Sequence, residues 1–174
     1  MRRSNILLIT TDQQHWRLMS CNGEKFIETP NLDRLASEGV RFDRVYTTNP
    51  VCVPARYSFM SGYMPHVFNG MEDNFKGQGD ATPLLREWID TPPLGYLFKN
   101  AGYDTALAGK THVEDVYSMS PEQEDALGFR RLHSDIRDQC AEACADFLKQ
   151  PGRGPFLLWA SFDQPHDICM FLRH

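Results

Sequence analysis

Residues 5–12 read NILLITTD. Ile6 to Ile9 form an unbroken aliphatic run, followed by two threonines and an acid. Apolar and polar positions do not alternate, which predicts a strand over Asn5–Thr11 buried on both faces within a parallel sheet. Asp12 then leaves the strand's carboxyl end, the edge of an open parallel sheet where ligand chemistry collects. Spacing alone equally allows Asp12 to cap the next helix.

Working outward, TPNLDRLASEGVRF at 29–42 predicts a short amphipathic helix. Thr29 stands at its cap, Pro30 in its first turn, Leu32 and Leu35 on its apolar stripe and Gly39 at its end. A β-rich segment, Phe42 to Thr47, leads through a proline-punctuated turn holding Cys52 into a second helical stretch that ends near Gly62. Residues 68–83, glycine-containing and of mixed charge, read as a surface loop. Further on, Pro93–Asn100 predicts a helix closed by Gly102, and Tyr103–Ala108 a strand that delivers Gly109, Lys110 and His112. Ser134–Gln150 has helical spacing, and Pro155–Phe162 is a further apolar strand followed by Asp163, Pro165 and His166. This alternation predicts an α/β fold with a mainly parallel sheet flanked by helices.

At 174 residues, 41% of them apolar, the chain suits one domain with a real core. Eighteen basic against twenty-three acidic residues leave a net charge of −5, with no basic field to recruit nucleic acid. Five cysteines, an odd count without a C-x-x-C pair, argue for reduced thiols. The four-residue aliphatic run after Arg2 and Arg3 is too short for a signal peptide, and no segment has the apolar length of a membrane span. The expectation is a cytoplasmic chain with no membrane partner, or a periplasmic or secreted one if a leader has been removed.

Each polar residue after a strand has a plain structural reading. Cys52 alone reads as a buried thiol, Lys110 and His112 as a solvated turn, and His166 as bonding a carbonyl. Cys140 and Cys144, four apart on an apolar helix face, read as core packing, and His15, His66 and His133 are assigned no role. The joint occurrence of several such clusters shifts the balance toward chemistry.

CVPAR at 52–56 fits a Cys-x-Pro-x-Arg signature. With NILLITTDQQ at 5–14, TPNLDRLASEGVRF, GYDTALAGKTH at 102–112 and PFLLWASFDQPHD at 155–167, the chain resembles the type I, formylglycine-dependent sulfatases of the alkaline-phosphatase-like superfamily. The resemblance implies that fold, and a sulfuric ester hydrolase that cleaves a sulfate monoester. It implies that Cys52 is converted by a formylglycine-generating or sulfatase-maturating enzyme into the nucleophile, with Ala55 replacing a commoner serine in the motif. Arg56 would hold the modified side chain, Lys110 and His112 would contact it and the sulfate, and His166 would sit near the leaving-group oxygen. Asp12, the residue at 52 and Gln13 would ligate a divalent cation, most often calcium; Gln13 stands where many members carry a second acid.

The resemblance also reads residues 1–174 as the N-terminal part of a sulfatase catalytic domain, incomplete at the C-terminus, because the family's second pair of metal ligands and a further lysine follow later. Missing strands would leave a sheet edge and apolar faces that invite self-association. Three readings follow: a sulfatase acting on a small-molecule or carbohydrate sulfate ester, a phosphonate or phosphate monoester hydrolase of the same superfamily, and a catalytically incompetent fragment.

The residue types suit the reaction. A hydrated aldehyde offers two geminal hydroxyls on one carbon, one to attack and one to expel. A hard cation lowers a hydroxyl's pKa and binds sulfate oxygens. Arg56 and Lys110 place positive charge where the transferring group is negative, while His112 and His166 are suited to move protons.

Overall fold

The computed structural model describes residues 3–68, 90–113, 121–133, 138–166 and 168. The chain divides into two compact units, Met1–Asp12 with Thr47–Asp163, and Gln13–Tyr46 with Gln164–His174.

The first unit is built on a sheet in the order β1-β4-β2-β3, comprising β1 (Ile6–Asp12), β2 (Asp104–Gly109), β3 (Arg130–Arg131) and β4 (Phe156–Pro165), the last running on into the second unit. β2 pairs in parallel with β4 from Asp104↔Phe156 to Gly109↔Ser161, and in parallel with β3 at Ala106↔Arg130 and Leu107↔Arg131. The α/β parallel sheet expected from the sequence is thus present.

Period-two alternation sorts the side chains of β2 and β4 onto two cores. Leu107, Leu157 and Trp159 pack with Val53, Tyr57 and Met60 of helix α2 (Cys52–Ser61) and with Leu127 and Phe129. On the other face Ala106, Ala108, Leu158 and Ala160 meet Cys140, Cys144 and Phe147 of helix α5 (Cys140–Lys149). The small residues there let α5 approach closely: a Cβ added at Gly109 would lie 2.0 Å from Ser161 O and 3.1 Å from Cys140 Sγ. Cys140 and Cys144 are core residues, as their spacing predicts. The hydrogen bond to Cys144 and then burial push the Cys140 thiol up, out of the range in which it ionises.

Among the described residues this unit also holds two short α-helices, α3 (Leu94–Asn100) and α4 (Pro121–Leu127). α3 ends as predicted, with Gly102 at φ +81°; α4 and the two-residue β3 have too little periodicity to be read from sequence. α5 begins at Cys140, not Ser134, since Asp138 and Gln139 are non-helical; residues 134–137, including Ile136, lie outside the described residues. The loop predicted at 68–83 also lies outside them, except for Phe68, which is fully buried against Tyr57.

Two sequence expectations are corrected. β1 is not buried on both faces: Leu7 and Ile9 are 44% and 50% exposed, alternating with half-buried Ile6 and Leu8. β1 ends the sheet order, and no helix of this unit among the described residues covers its outer face, so a run of four aliphatics reports composition and not two-sided burial. Phe42–Thr47 forms no strand; Phe42, Val45 and Tyr46 are exposed, because the segment has no ladder partner.

The second unit holds α1 (Pro30–Glu38), where Thr29 and Pro30 take the cap and first-turn positions as expected. The Thr29 hydroxyl does not cap the backbone. It accepts from Ser20 N at 2.9 Å and donates to Asp33 Oδ1 at 3.2 Å, and the Ser20 hydroxyl donates to Asp33 Oδ2 at 2.8 Å. His15, assigned no chemical role, accepts from Arg17 N at 3.3 Å.

Candidate functional site

β1, β2 and β4 deliver Asp12, the Gly109–His112 turn, and Ser161 with Asp163 to one edge of the first unit's sheet. The side chain that ties them together comes from α2. Arg56 Nη1 donates to Lys110 O at 2.8 Å, to Thr111 O at 3.3 Å and to Ser161 Oγ at 2.9 Å, while Nη2 donates to Asp12 Oδ2 at 3.2 Å. A planar five-donor fork is what such a divergent set of acceptors requires. Cys52 lies one helical turn before Arg56, so both face the same way from α2. Cys52 also opens that helix, where the backbone N–H groups and the macrodipole favour an anion.

Lys110 Nζ lies 2.8 Å from Asp12 Oδ2 and 3.0 Å from Asp163 Oδ1. Arg56, Lys110, Asp12 and Asp163 are 5%, 2%, 8% and 4% exposed, so two cations and two carboxylates are buried as a neutral set. Such a set survives desolvation because each charge has a partner. Burial pushes the Arg56 guanidinium down from its ordinary value, opposed by Asp12 and, more weakly, by Cys52 and Asp163.

Behind these charges runs a relay of neutral donors. Trp159 Nε1 donates to Thr10 Oγ1 at 3.0 Å, and Thr10 Oγ1 donates to Ser161 Oγ at 3.1 Å, the atom that also accepts from Arg56. The turn carrying Lys110 is gripped from its other side by Arg131, whose Nη1 donates to Gly109 O at 2.9 Å. Within that turn His112 adopts φ +49°, a left-handed conformation that a non-glycine residue rarely holds and that occurs preferentially at functional sites.

Of the residues singled out from sequence, Asp12, Arg56 and Lys110 are thus in direct contact, Cys52 is on the helix that supplies Arg56, and His112 is on the turn that supplies Lys110. Gln13, at φ +62°, and half-buried His166 belong to the second unit. Sequence reasoning missed Ser161, Asp163, Thr10 and Arg131 as parts of this network. Asp163 and Ser161 had a signal: they are polar side chains at the end of an otherwise apolar strand.

Asp12 suits a hard cation as one oxygen ligand. Among the described residues, however, no group of three or more His, Cys, Asp or Glu converges to hold a metal. Calcium takes roughly six to eight oxygens, so the described residues do not complete a cation shell. No helix among them is long and apolar enough to cross a membrane.

Residues 4–171 match the family model described as Sulfatase. The chain is 30% identical to the uncharacterized sulfatase YidJ of Escherichia coli, over 95% of this chain and 39% of that protein. It is 29% identical to a Delta 4,5-hexuronate-2-O-sulfatase of Bacteroides thetaiotaomicron, over 98% of this chain and 36% of that protein. Among solved structures, a putative sulfatase from Bacteroides thetaiotaomicron superposes with a TM-score of 0.73 at 28% identity, covering 97% of this chain and 37% of that one. The chain spans under two-fifths of the length of these two relatives. With a family match over nearly its whole length and a buried Asp-Arg-Lys cluster beside a Cys-x-Pro-x-Arg helix, the chain belongs to the sulfatase family.

Proposed function

We propose that this chain carries the nucleophile and sulfate-binding elements of a sulfuric ester hydrolase, acting on a sulfate monoester through a formylglycine made from Cys52. One observation carries the reading: Arg56 and Lys110, both buried and both paired to Asp12, stand at the sheet edge served by the helix that begins at Cys52.

The modified side chain would supply, as an aldehyde hydrate, one hydroxyl for attack on sulfur and one for later release of sulfate. Arg56 fixes the turn at Lys110 and the Ser161 hydroxyl in place, so the charges around the sulfate need not reorganise during reaction. Lys110 has two of its three N–H bonds directed at Asp12 and Asp163, which leaves a third for a sulfate oxygen. His112 is suited to take a proton from a hydroxyl at position 52.

Asp12 is proposed as one ligand of a divalent cation, calcium by the hardness of its donor, with the residue at 52 as a further oxygen donor. The remaining shell would come from outside the described residues. When bound, the cation would supply Lewis acidity toward the sulfate oxygens. A carbohydrate sulfate is the substrate class we favour, supported by the hexuronate 2-O-sulfatase among the relatives.

The test is co-expression of the chain with a formylglycine-generating or sulfatase-maturating enzyme. A tryptic peptide about 18 Da lighter at Cys52 is expected, from exchange of the thiol for an aldehyde oxygen. The same preparation should turn over 4-nitrophenyl sulfate faster than 4-nitrophenyl phosphate with calcium present, and Cys52→Ala should abolish turnover. An unmodified Cys52 together with absent turnover sinks the proposal. Faster phosphate than sulfate turnover would assign the site to phosphate or phosphonate monoesters instead.

A further inference from the structure

Asp12 Oδ2 receives both Arg56 Nη2, at 3.2 Å, and Lys110 Nζ, at 2.8 Å. One carboxylate facing two buried cations leaves an unbalanced positive charge, and an ammonium that is 2% exposed has no water to make up the difference. The second negative charge comes from Asp163, whose Oδ1 lies 3.0 Å from Nζ and whose side chain is itself nearly inaccessible. Lys110 is therefore held from two strands at once, by Asp12 at the end of β1 and by Asp163 near the end of β4. A compact point charge on a four-carbon stem has no fixed geometry of its own. Two carboxylates converging on it define where Nζ sits and which way its remaining N–H points.

We propose that Asp163 is a positioning residue for Lys110. It fixes the ammonium at the sheet edge independently of Asp12, so that Asp12 is free to engage another partner without releasing the lysine. The inference rests on the reading of Lys110 as a sulfate contact given above, and it adds a residue outside the Cys-x-Pro-x-Arg and Gly-Lys-x-His segments. Asp163 acts through Lys110, while Asp12 and Arg56 form an ion pair of their own.

The experiment measures how well Lys110 Nζ is shielded. The full chain and its Asp12→Asn, Asp163→Asn, Asp12→Asn/Asp163→Asn and Asp12→Asn/Asp163→Glu variants are treated with an N-hydroxysuccinimide acetate at one fixed pH. Acetylation of Lys110 is then read by peptide mass spectrometry against Lys149, which is 76% exposed and serves as the internal standard. Circular dichroism checks the fold of each variant.

Lys110 should react at least tenfold more slowly than Lys149 in the wild type and in Asp12→Asn, because Asp163 alone suffices to hold it. It should approach the Lys149 rate in the double Asn variant. Glu at 163 should restore the protection, a rescue that general loosening of the strand would not produce. The proposal is overturned if Lys110 is already reactive in Asp12→Asn, if it stays protected in a folded double Asn variant, or if Glu fails to rescue. Should the double variant not fold, the Asp12→Asn result alone still decides whether Asp163 holds the lysine. An unmodified Cys52 and absent turnover of 4-nitrophenyl sulfate alongside the expected labelling pattern would remove the sulfatase reading, not the Asp163–Lys110 unit.

Discussion

Replacing Arg56 with alanine should be the most damaging single change at the sheet edge. The guanidinium satisfies two backbone carbonyls, the Ser161 hydroxyl and the Asp12 carboxylate, and it is 5% exposed. Removing one partner of a buried ion pair costs about 3–5 kcal/mol, because the other charge is left uncompensated. Lys110 remains on Asp12 and softens that penalty, whereas the orphaned carbonyls and the lost packing against Trp159, whose ring centroid is 6.0 Å from the Arg56 Cζ, add to it. A net loss of about 4 kcal/mol is a large share of the roughly 5–15 kcal/mol that stabilises a domain. With a urea dependence of about 2 kcal/mol/M, the unfolding midpoint should fall by about 2 M. Urea unfolding followed by circular dichroism measures this. Arg130→Ala provides the control: its pair with Asp104 is half exposed at the arginine, and such pairs contribute about 0–1 kcal/mol, a midpoint shift under about 0.5 M. Arg56→Lys should recover only part of the loss, since an ammonium cannot span four divergent acceptors. If Arg56→Ala moved the midpoint no more than Arg130→Ala does, the guanidinium would not be the tie between β1, β2 and β4, and the site as described would be wrong.

Gly109→Ala should destabilise by about 3 kcal/mol or more, through a Cβ that meets Ser161 O at 2.0 Å and a φ of +88° that L side chains rarely adopt, lowering the thermal midpoint by roughly 6–12 °C. Ser161→Ala removes the acceptor shared by Arg56 and Thr10 and should cost about 2 kcal/mol in the same urea experiment. Iodoacetamide should alkylate Cys21 and Cys52 in the folded chain while leaving Cys140 and Cys144 unmodified until denaturant is added, as read by peptide mass spectrometry.

The legible parts of the fold were those in which one local signal determined the structure. β2, β4 and α2 follow from apolar runs bounded by glycine or proline, and Gly62 and Gly102 sit where helices end because only glycine takes the left-handed turn without cost. The residues Asp12, Arg56 and Lys110 were legible as a set because each directly follows a strand or belongs to one motif. The misses share a physical cause, since they depend on contacts between distant residues. Four aliphatics in β1 say nothing about whether a neighbour covers both faces, and Phe42–Thr47 has strand-forming side chains but no ladder partner to complete them. Asp163 and Ser161 differ from ordinary strand-end polar residues in what they meet some 50 to 150 positions away, Lys110 for Asp163, and Arg56 and Thr10 for Ser161.

The indole of Trp159 has optical consequences. It is wholly shielded from water, it lies within cation–π range of Arg56, and its N–H feeds the Thr10–Ser161 relay that ends on the same guanidinium. Its fluorescence should therefore emit at short wavelength and respond to any movement of that arginine. Modification of Cys52 or arrival of an anion near Arg56 could then be followed in real time by light, without a label and before any product is formed.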